Sequence, residues 1–432
     1  MLLLLALAGL MHAARSFSTD TTLAGTELAF GFLLLAAYFT SKIVSRVGLP
    51  KLTGYLLAGV LAGPYVFGFV TADMMVPLKI VSNTATAIIA LEAGSELEIA
   101  KVRPVMRTLR AMTIFAVIGA MFVITAVVYL TRPMLGFFEG FDLTQSLAVS
   151  AMVGVSLSAQ SPAVVMALLS EMRSEGPLTS TVLASVVVAD LVVILVFSIA
   201  TAITSSVIGG GIDVLETVLG VLWELLGSMV FGVALGMLIG QFLLSVKSGA
   251  SLFALLVCFV VAEIGARIHL DPLIVMLAAG IWLRNFSRAD ASDLFRNFAS
   301  AQLPVFLVFF ALAGAKLNIY ELASMIVPVG LIAIARASSF YIGTKVATTA
   351  TNAPDVVKKF AWFGLVPQAG LALALAGVIE KSFPSFGDKA RVLLIGVVGL
   401  NECIAPPILR GMLLRSGEAG KKAGVDFAAG GH

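Results

Sequence analysis

The chain has 432 residues, of which 59% are hydrophobic and only 12% charged, with a mean hydropathy of +1.04. A soluble domain carries about 25% charged residues, so this balance excludes an ordinary soluble fold and describes an all-α polytopic membrane protein. The net charge of +3 is spread over loops without a nucleic-acid patch. His12, His269 and His432 are too scattered for a zinc or haem site, and Cys258 and Cys403 lie in apolar runs without disulfide or metal spacing. No cofactor is expected.

In chain order, residues 1–22 begin with MLLLLALAGLMHAARS, an apolar run too short to span a bilayer. It reads equally as a signal-like core without a basic start or as an interfacial N-terminal stub. Apolar stretches of spanning length follow near 23–46, 52–70, 76–98, 111–131, 144–169, 179–204, 217–245, 250–268, 271–286, 302–318, 322–347, 360–380 and 389–413. That is about thirteen transmembrane helices. Residues 414–432 are short, Gly/Ala-rich and expected to be a disordered cytoplasmic tail.

Basic residues alternate along this series. Lys42, Arg46 and Lys51 follow the first stretch, and Lys101, Arg103, Arg107 and Arg110 the third. Arg173, Lys247 and then Arg284, Arg288 and Arg296 follow the fifth, seventh and ninth. Lys358 and Lys359 follow the eleventh, and Arg410, Arg415, Lys421 and Lys422 close the chain. With thirteen crossings all of them face one side, which places the N-terminus outside and the C-terminus inside a bacterial-type inner membrane.

Two stretches are interrupted. SLAVSAMVGVSLSAQSPAVVMALLSE carries Ser158, Gln160, Ser161 and Pro162 at its middle, and AWFGLVPQAGLALALAGVIE carries Gly364, Pro367, Gln368 and Gly370. Proline removes a backbone donor and clashes with the preceding turn, so both helices break there. Such breaks persist at membrane depth only where protein or a cavity surrounds them, and a pair in two halves points to a secondary transporter's site. Seven helices separate the breaks, an odd offset that predicts inverted repeats of opposite topology. The hydroxyls and amides of Ser158, Gln160, Ser161 and Gln368 suit a hard monovalent cation, or alternatively satisfy the broken backbone locally.

Between the breaks, Asp190 stands in SVVVADLVVILVF. A carboxylate at bilayer depth costs about 2.5–3.5 kcal/mol on insertion scales, so Asp190 invites an ion or proton pathway reading, the alternative being a structural buried ion pair. Glu402 in GLNECIAPPIL is a further intramembrane carboxylate, able to act as a second proton site or to pair with Arg336. Glu92 and Glu96 lie near a helix end, and Glu263 is expected to pair with Arg267 one turn on. Gly232, Gly236 and Gly240, with a shorter copy at Gly59 and Gly63, form small-residue stripes for close helix packing.

Several segments in order resemble one family. LPKLTGYLLAGVLAGP (49–64), LEAGSELEI (91–99), SPAVVMALLSE (161–171), HLDPLIVMLAAGIWL (269–283) and GLVPQAGLALALA (364–376) are similar to signatures of the monovalent cation:proton antiporters, the bacterial Na+/H+ or K+/H+ exchanger type. The resemblance covers residues 23–413. It implies a core of helices over about 111–204 and 322–413 with two crossed discontinuous helices, a dimerisation scaffold from the rest, a homodimer, and alternating access by an elevator-like movement. It also implies that Asp190 binds the cation or the proton, and that Arg336 is the basic residue preceding the second break, with Asp190 its expected partner. Electrogenic relatives keep a second Asp where this chain has Ala189. One exchangeable carboxylate beside a guanidinium that does not deprotonate predicts electroneutral exchange of Na+ or K+ for H+. The competing readings are a sodium-coupled organic-anion transporter of similar architecture and a non-transporting membrane sensor. No nucleophile–base pair or phosphate loop suggests an enzyme.

Overall fold

The computed structural model describes residues 23–208, 219, 223–246, 249–268, 270–317, 319–368 and 370–421, which are helix, turn and loop without a strand. The principal helices are α1 (Leu23–Arg46), α2 (Lys51–Ala62), α3 (Lys79–Glu96), α4 (Arg103–Leu130), α5 (Leu143–Leu157), α6 (Pro162–Glu171), α7 (Pro177–Ile208) and α8 (Ser228–Ser245). They continue as α9 (Ala250–Ile268), α10 (Pro272–Asn285), α11 (Ser292–Ala315), α12 (Ile326–Ala350), α13 (Asp355–Phe360), α14 (Gly370–Ser382) and α15 (Gly387–Ser416).

Each apolar stretch read from the sequence carries helix. By length and composition, seven helical spans among the described residues can cross a bilayer and five apolar helices are shorter. Thirteen is therefore the sequence's count, not an established number of crossings.

Local chemistry sets the helix ends and satisfies polar groups within the spans. Asp142 and Gln145 form a reciprocal capping box that starts α5. Asp271 accepts from Leu273 N ahead of Pro272 and starts α10. Hydroxyls along the spans bond back to the preceding turn, as Ser198 does to Ile194 O and Thr204 to Ala200 O. These hydroxyls are thus satisfied within their own helix, as an apolar solvent requires.

The chain divides into two compact units, the first built from residues up to Glu96 with Met229–Tyr320, the second from Leu97–Ser228 with Glu321 onward. In the first, α1–α2–α3 and α9–α10–α11 form two triplets with reciprocal packing: α2 lies on α11, and α10 on α3. Glycine makes both contacts possible from both sides. A Cβ at Gly59 would strike the Ala311 carbonyl and one at Gly314 the Leu56 carbonyl. One at Gly94 would strike the Leu277 carbonyl and one at Gly280 the Leu91 carbonyl. The stripe on α8 works likewise, with Gly232 against Val275 and Gly236 against Ala279 of α10, so it is a packing face. Arg267 pairs with Glu263 at 2.6 Å, as the one-turn spacing predicts.

The second unit repeats the scheme with an interrupted helix second in each triplet. α4 lies against α12; α7 packs on α13 and the 3-10 turn Ala361–Leu365, while α15 packs on α5 and α6. The α4 backbone widens into a π turn over Thr113–Ile118, where Gly343 of α12 meets the Phe115 carbonyl. This exchange of partners between triplets is the pattern expected of a repeated unit. The expected core bounds, about 111–204 and 322–413, fall within this second unit.

The tail departs from its expected disorder from residue 414. α15 runs to Ser416, Gly417 ends it in the left-handed region (φ 72°), and the following residues return to the turn before α7. Glu418 is buried and caps α7: its carboxylate accepts from Leu178 N, Thr179 N and Thr179 Oγ1, each at 2.8 Å. Gly420 N donates to Met172 O at 2.8 Å. The composition looked disordered because one buried carboxylate meeting free helix-start amides leaves no periodic signal. Residues 1–22 and 422–432 lie outside the described residues.

Candidate functional site

The first break begins where α5 ends at Leu157, and the chain turns out of helical geometry to Ser161 (φ −131°, ψ 98°). Ser161 Oγ accepts from Val164 N and Pro162 occupies the first turn of α6. Ser158 Oγ donates to Val155 O at 2.6 Å. Both serines thus bond at helix ends, the local use of their hydroxyls that the sequence left open beside a cation-binding one: unpaired helix ends recruit the nearest hydroxyl. The second break runs from the 3-10 turn through Val366, Pro367 and Gln368 to α14, which starts at Gly370. Gly364 sits against Val182 of α7, with no room for a Cβ.

Arg336, on α12 and 1% exposed, joins the two breaks. Its Nε donates to Leu157 O at 2.9 Å and its Nη2 to Ala159 O at 2.7 Å, both from the end of the first half-helix. The same guanidinium donates to Leu365 O at 3.3 Å and to Val366 O, at the end of the second. Phe340 lies one turn on, its ring centroid 4.7 Å from the guanidinium carbon. Every side-chain hydrogen bond of Arg336 among the described residues therefore goes to a carbonyl, where the sequence suggested Asp190 or Glu402 as its partner. The reason is electrostatic and geometric. Two helix C-termini converge there, each with the negative end of its dipole and its last carbonyls unpaired. A planar fork of five donors reaches both sets, whereas an ammonium is a single point.

Gln368 adds a second tie. Its Nε2 donates to Leu157 O at 2.8 Å, and its Oε1 accepts from Asn401 Nδ2 of α15 at 2.7 Å. Gln160 is fully buried; its Nε2 donates to Ser158 O at 2.7 Å, while Oε1 is an acceptor without a hydrogen-bond partner among the described residues. Sequence reasoning passed over Asn401, although it adjoins Glu402, because an asparagine in an apolar helix shows no partner until the helices are packed.

Asp190 is 5% exposed on α7, and Ala189 beside it is fully buried. Val182 lies against Gly364 near one end of α7, and Thr204 Oγ1 donates to Ala148 O at 3.1 Å near the other. Asp190 is thus on the stretch of α7 between its contacts with the two interrupted helices. Glu402 of α15 is 3% exposed, and neither carboxylate oxygen has a hydrogen-bond partner among the described residues. Glu92 is buried and belongs to the first unit, and the Glu96 side chain lies outside the described residues.

Discontinuous helices that meet through their carbonyl ends, with a carboxylate buried on the helix between them, define a secondary ion transporter. The transmembrane sodium/hydrogen exchanger model matches residues 31–414, and the chain belongs to that family. It is similar to the high-affinity Na+/H+ antiporter NhaS3 of Synechocystis sp., at 24% identity over 92% of this chain and 93% of the relative. Its fold is that of the sodium proton antiporter MjNhaP1 from Methanocaldococcus jannaschii. The structure of that protein at pH 8 gives a TM-score of 0.63 at 17% identity, covering 90% of this chain and 98% of the other. An electron-microscopy structure gives 0.70 at 16% identity, covering 89% and 96%.

Proposed function

We propose that this protein exchanges Na+ for H+ by competition of the two ions for Asp190, in electroneutral 1:1 alternating access. The observation that carries the reading is the position of Asp190, buried on α7 between its contacts with the two interrupted helices, whose converging ends Arg336 neutralises. A single carboxylate holds either a cation or a proton, so competition is sufficient for coupling. The guanidinium stays charged throughout. Its carbonyl partners give it a structural task, so it adds no second exchangeable charge. Ala189 removes the neighbouring acid. Gln160 Oε1, a neutral oxygen within the first break, is a candidate for an additional cation ligand.

K+ as an alternative cargo, a homodimer through the first unit, a bacterial-type inner membrane, and an outside N-terminus with an inside C-terminus belong to the same reading. Elevator-like movement of the second unit is its mechanical form. The test is pH-dye exchange in proteoliposomes for the wild type and Asp190→Asn, with Na+ or K+ and with the membrane potential clamped at two values. Wild-type exchange should be insensitive to voltage and compete with external H+, and Asp190→Asn should be inactive. Equal flux from both proteins would exclude Asp190 as the carrier, and voltage-driven exchange would exclude the 1:1 stoichiometry.

A further inference from the structure

We propose that Asn401 is a positioning residue for the ion site: it anchors the Gln368 side chain, and through it the spacing of the two helix breaks. The inference rests on the reading that the breaks form the ion site. Gln368 is fully buried and Asn401 is 5% exposed, so neither has bulk water as an alternative partner. A glutamine amide presents an oxygen on one side and an NH2 group on the other, and these interchange when the terminal torsion turns over. With Asn401 Nδ2 donating to Oε1 at 2.7 Å, the NH2 group faces the first break and donates to Leu157 O at 2.8 Å. In the opposite orientation Gln368 would bring its oxygen against the Leu157 carbonyl and its NH2 against the Asn401 NH2. The Leu157 carbonyl, which can only accept, therefore sets which way the amide faces, and Asn401 anchors its far side.

Leu157 O is the shared point of the assembly. It accepts from Arg336 Nε at 2.9 Å and from Gln368 Nε2. Arg336 belongs to α12, Gln368 to the second break, and Asn401 to α15, so one carbonyl of the first break is held directly by two parts of the second triplet and, through Gln368, by a third. Arg336 alone supplies charge but can follow the carbonyls if the breaks drift apart. The Asn401–Gln368 bridge is neutral and directional, and it specifies which separation of the breaks is allowed. A monovalent cation is bound by a few oxygens whose spacing sets its affinity. Loss of this bridge should therefore weaken cation binding more than it slows the maximal exchange rate.

The experiment is a double-mutant cycle on the full-length protein in proteoliposomes, measuring Na+ dependence of Na+/H+ exchange for wild type, Asn401→Leu, Gln368→Leu and the double variant. Asp190→Asn serves as the control on the ion-site reading. Asn401→Leu should raise the apparent KM for Na+ about tenfold, equivalent to about 1.4 kcal/mol, with maximal rate within about twofold of wild type. The double variant should match Gln368→Leu, because Asn401 acts only through that amide. Additive penalties, or an unchanged KM for Asn401→Leu while Asp190→Asn is inactive, would overturn the proposal. Active Asp190→Asn would remove the ion-site reading beneath it. Should Asn401→Leu not purify as a folded protein, Asn401→Ser, too short to reach Gln368, enters the same cycle with the same expectation.

Discussion

Replacing Arg336 by leucine should destabilise the protein through its backbone, not through an ion pair. The substitution strips a donor from four carbonyls at once. Leu157 O retains Gln368, but Ala159, Leu365 and Val366 lose the guanidinium. A buried carbonyl left without a donor costs about 1–3 kcal/mol, so the three together lose roughly 3 kcal/mol even at the low end. Two helix C-termini would also face each other without a cation, an effect of up to about 2 kcal/mol at a partly buried terminus. Arg336→Lys keeps the charge but reaches only one of the two carbonyl sets, and should fall between wild type and leucine. The assay is thermal unfolding of purified protein in detergent by size-exclusion recovery, paired with exchange in proteoliposomes. The order of stability should be wild type, lysine, leucine. Asp190→Asn should not rescue Arg336→Leu, because the guanidinium answers carbonyls and not that carboxylate. Recovery of stability in the Asp190→Asn/Arg336→Leu double variant would refute the reasoning, since it would make Arg336 the counter-ion of Asp190.

Three further outcomes follow from the same contacts. Glu418→Ala should cost about 1–2 kcal/mol, in the range of a lost helix cap, and speed tryptic cleavage after Lys421; unchanged cleavage on mass spectrometry would mean that the docked turn does not depend on the carboxylate. Glu402→Gln removes a buried carboxylate whose oxygens have no hydrogen-bond partner among the described residues. It should raise thermal stability and leave exchange active and insensitive to voltage, whereas loss of exchange under a clamped potential would make Glu402 a carrier. Gly280→Val drives a side chain into the Leu91 carbonyl and should cost at least about 1–3 kcal/mol, while Gly31→Ala, with nothing within 4 Å of its Cβ, should leave unfolding temperature unchanged or higher.

Much of this molecule is legible along the chain because bilayer physics acts on local sequence. Apolar length sets the helices, Pro162 and Pro367 set the breaks, and Asp190 stands out as a charge where charge is expensive. Arg336 was equally visible, but its partners were not. A carboxylate advertises itself by residue type, whereas the carbonyls of Leu157, Ala159, Leu365 and Val366 belong to residues with nothing polar in their side chains. Which carbonyls lose their helical partners, and which cation then meets them, depends on two breaks separated by about two hundred residues arriving at one place. Asn401 and Glu418 were silent for the same reason. An amide or an acid acquires a role only from the group facing it, and Gln368 and the α7 amides lie far away in the chain. The sequence by itself determined the membrane class, the interrupted helices and the buried charges. Only the tertiary structure decided how those charges are satisfied, because hydrogen bonding at the open ends of helices is settled by packing between helices.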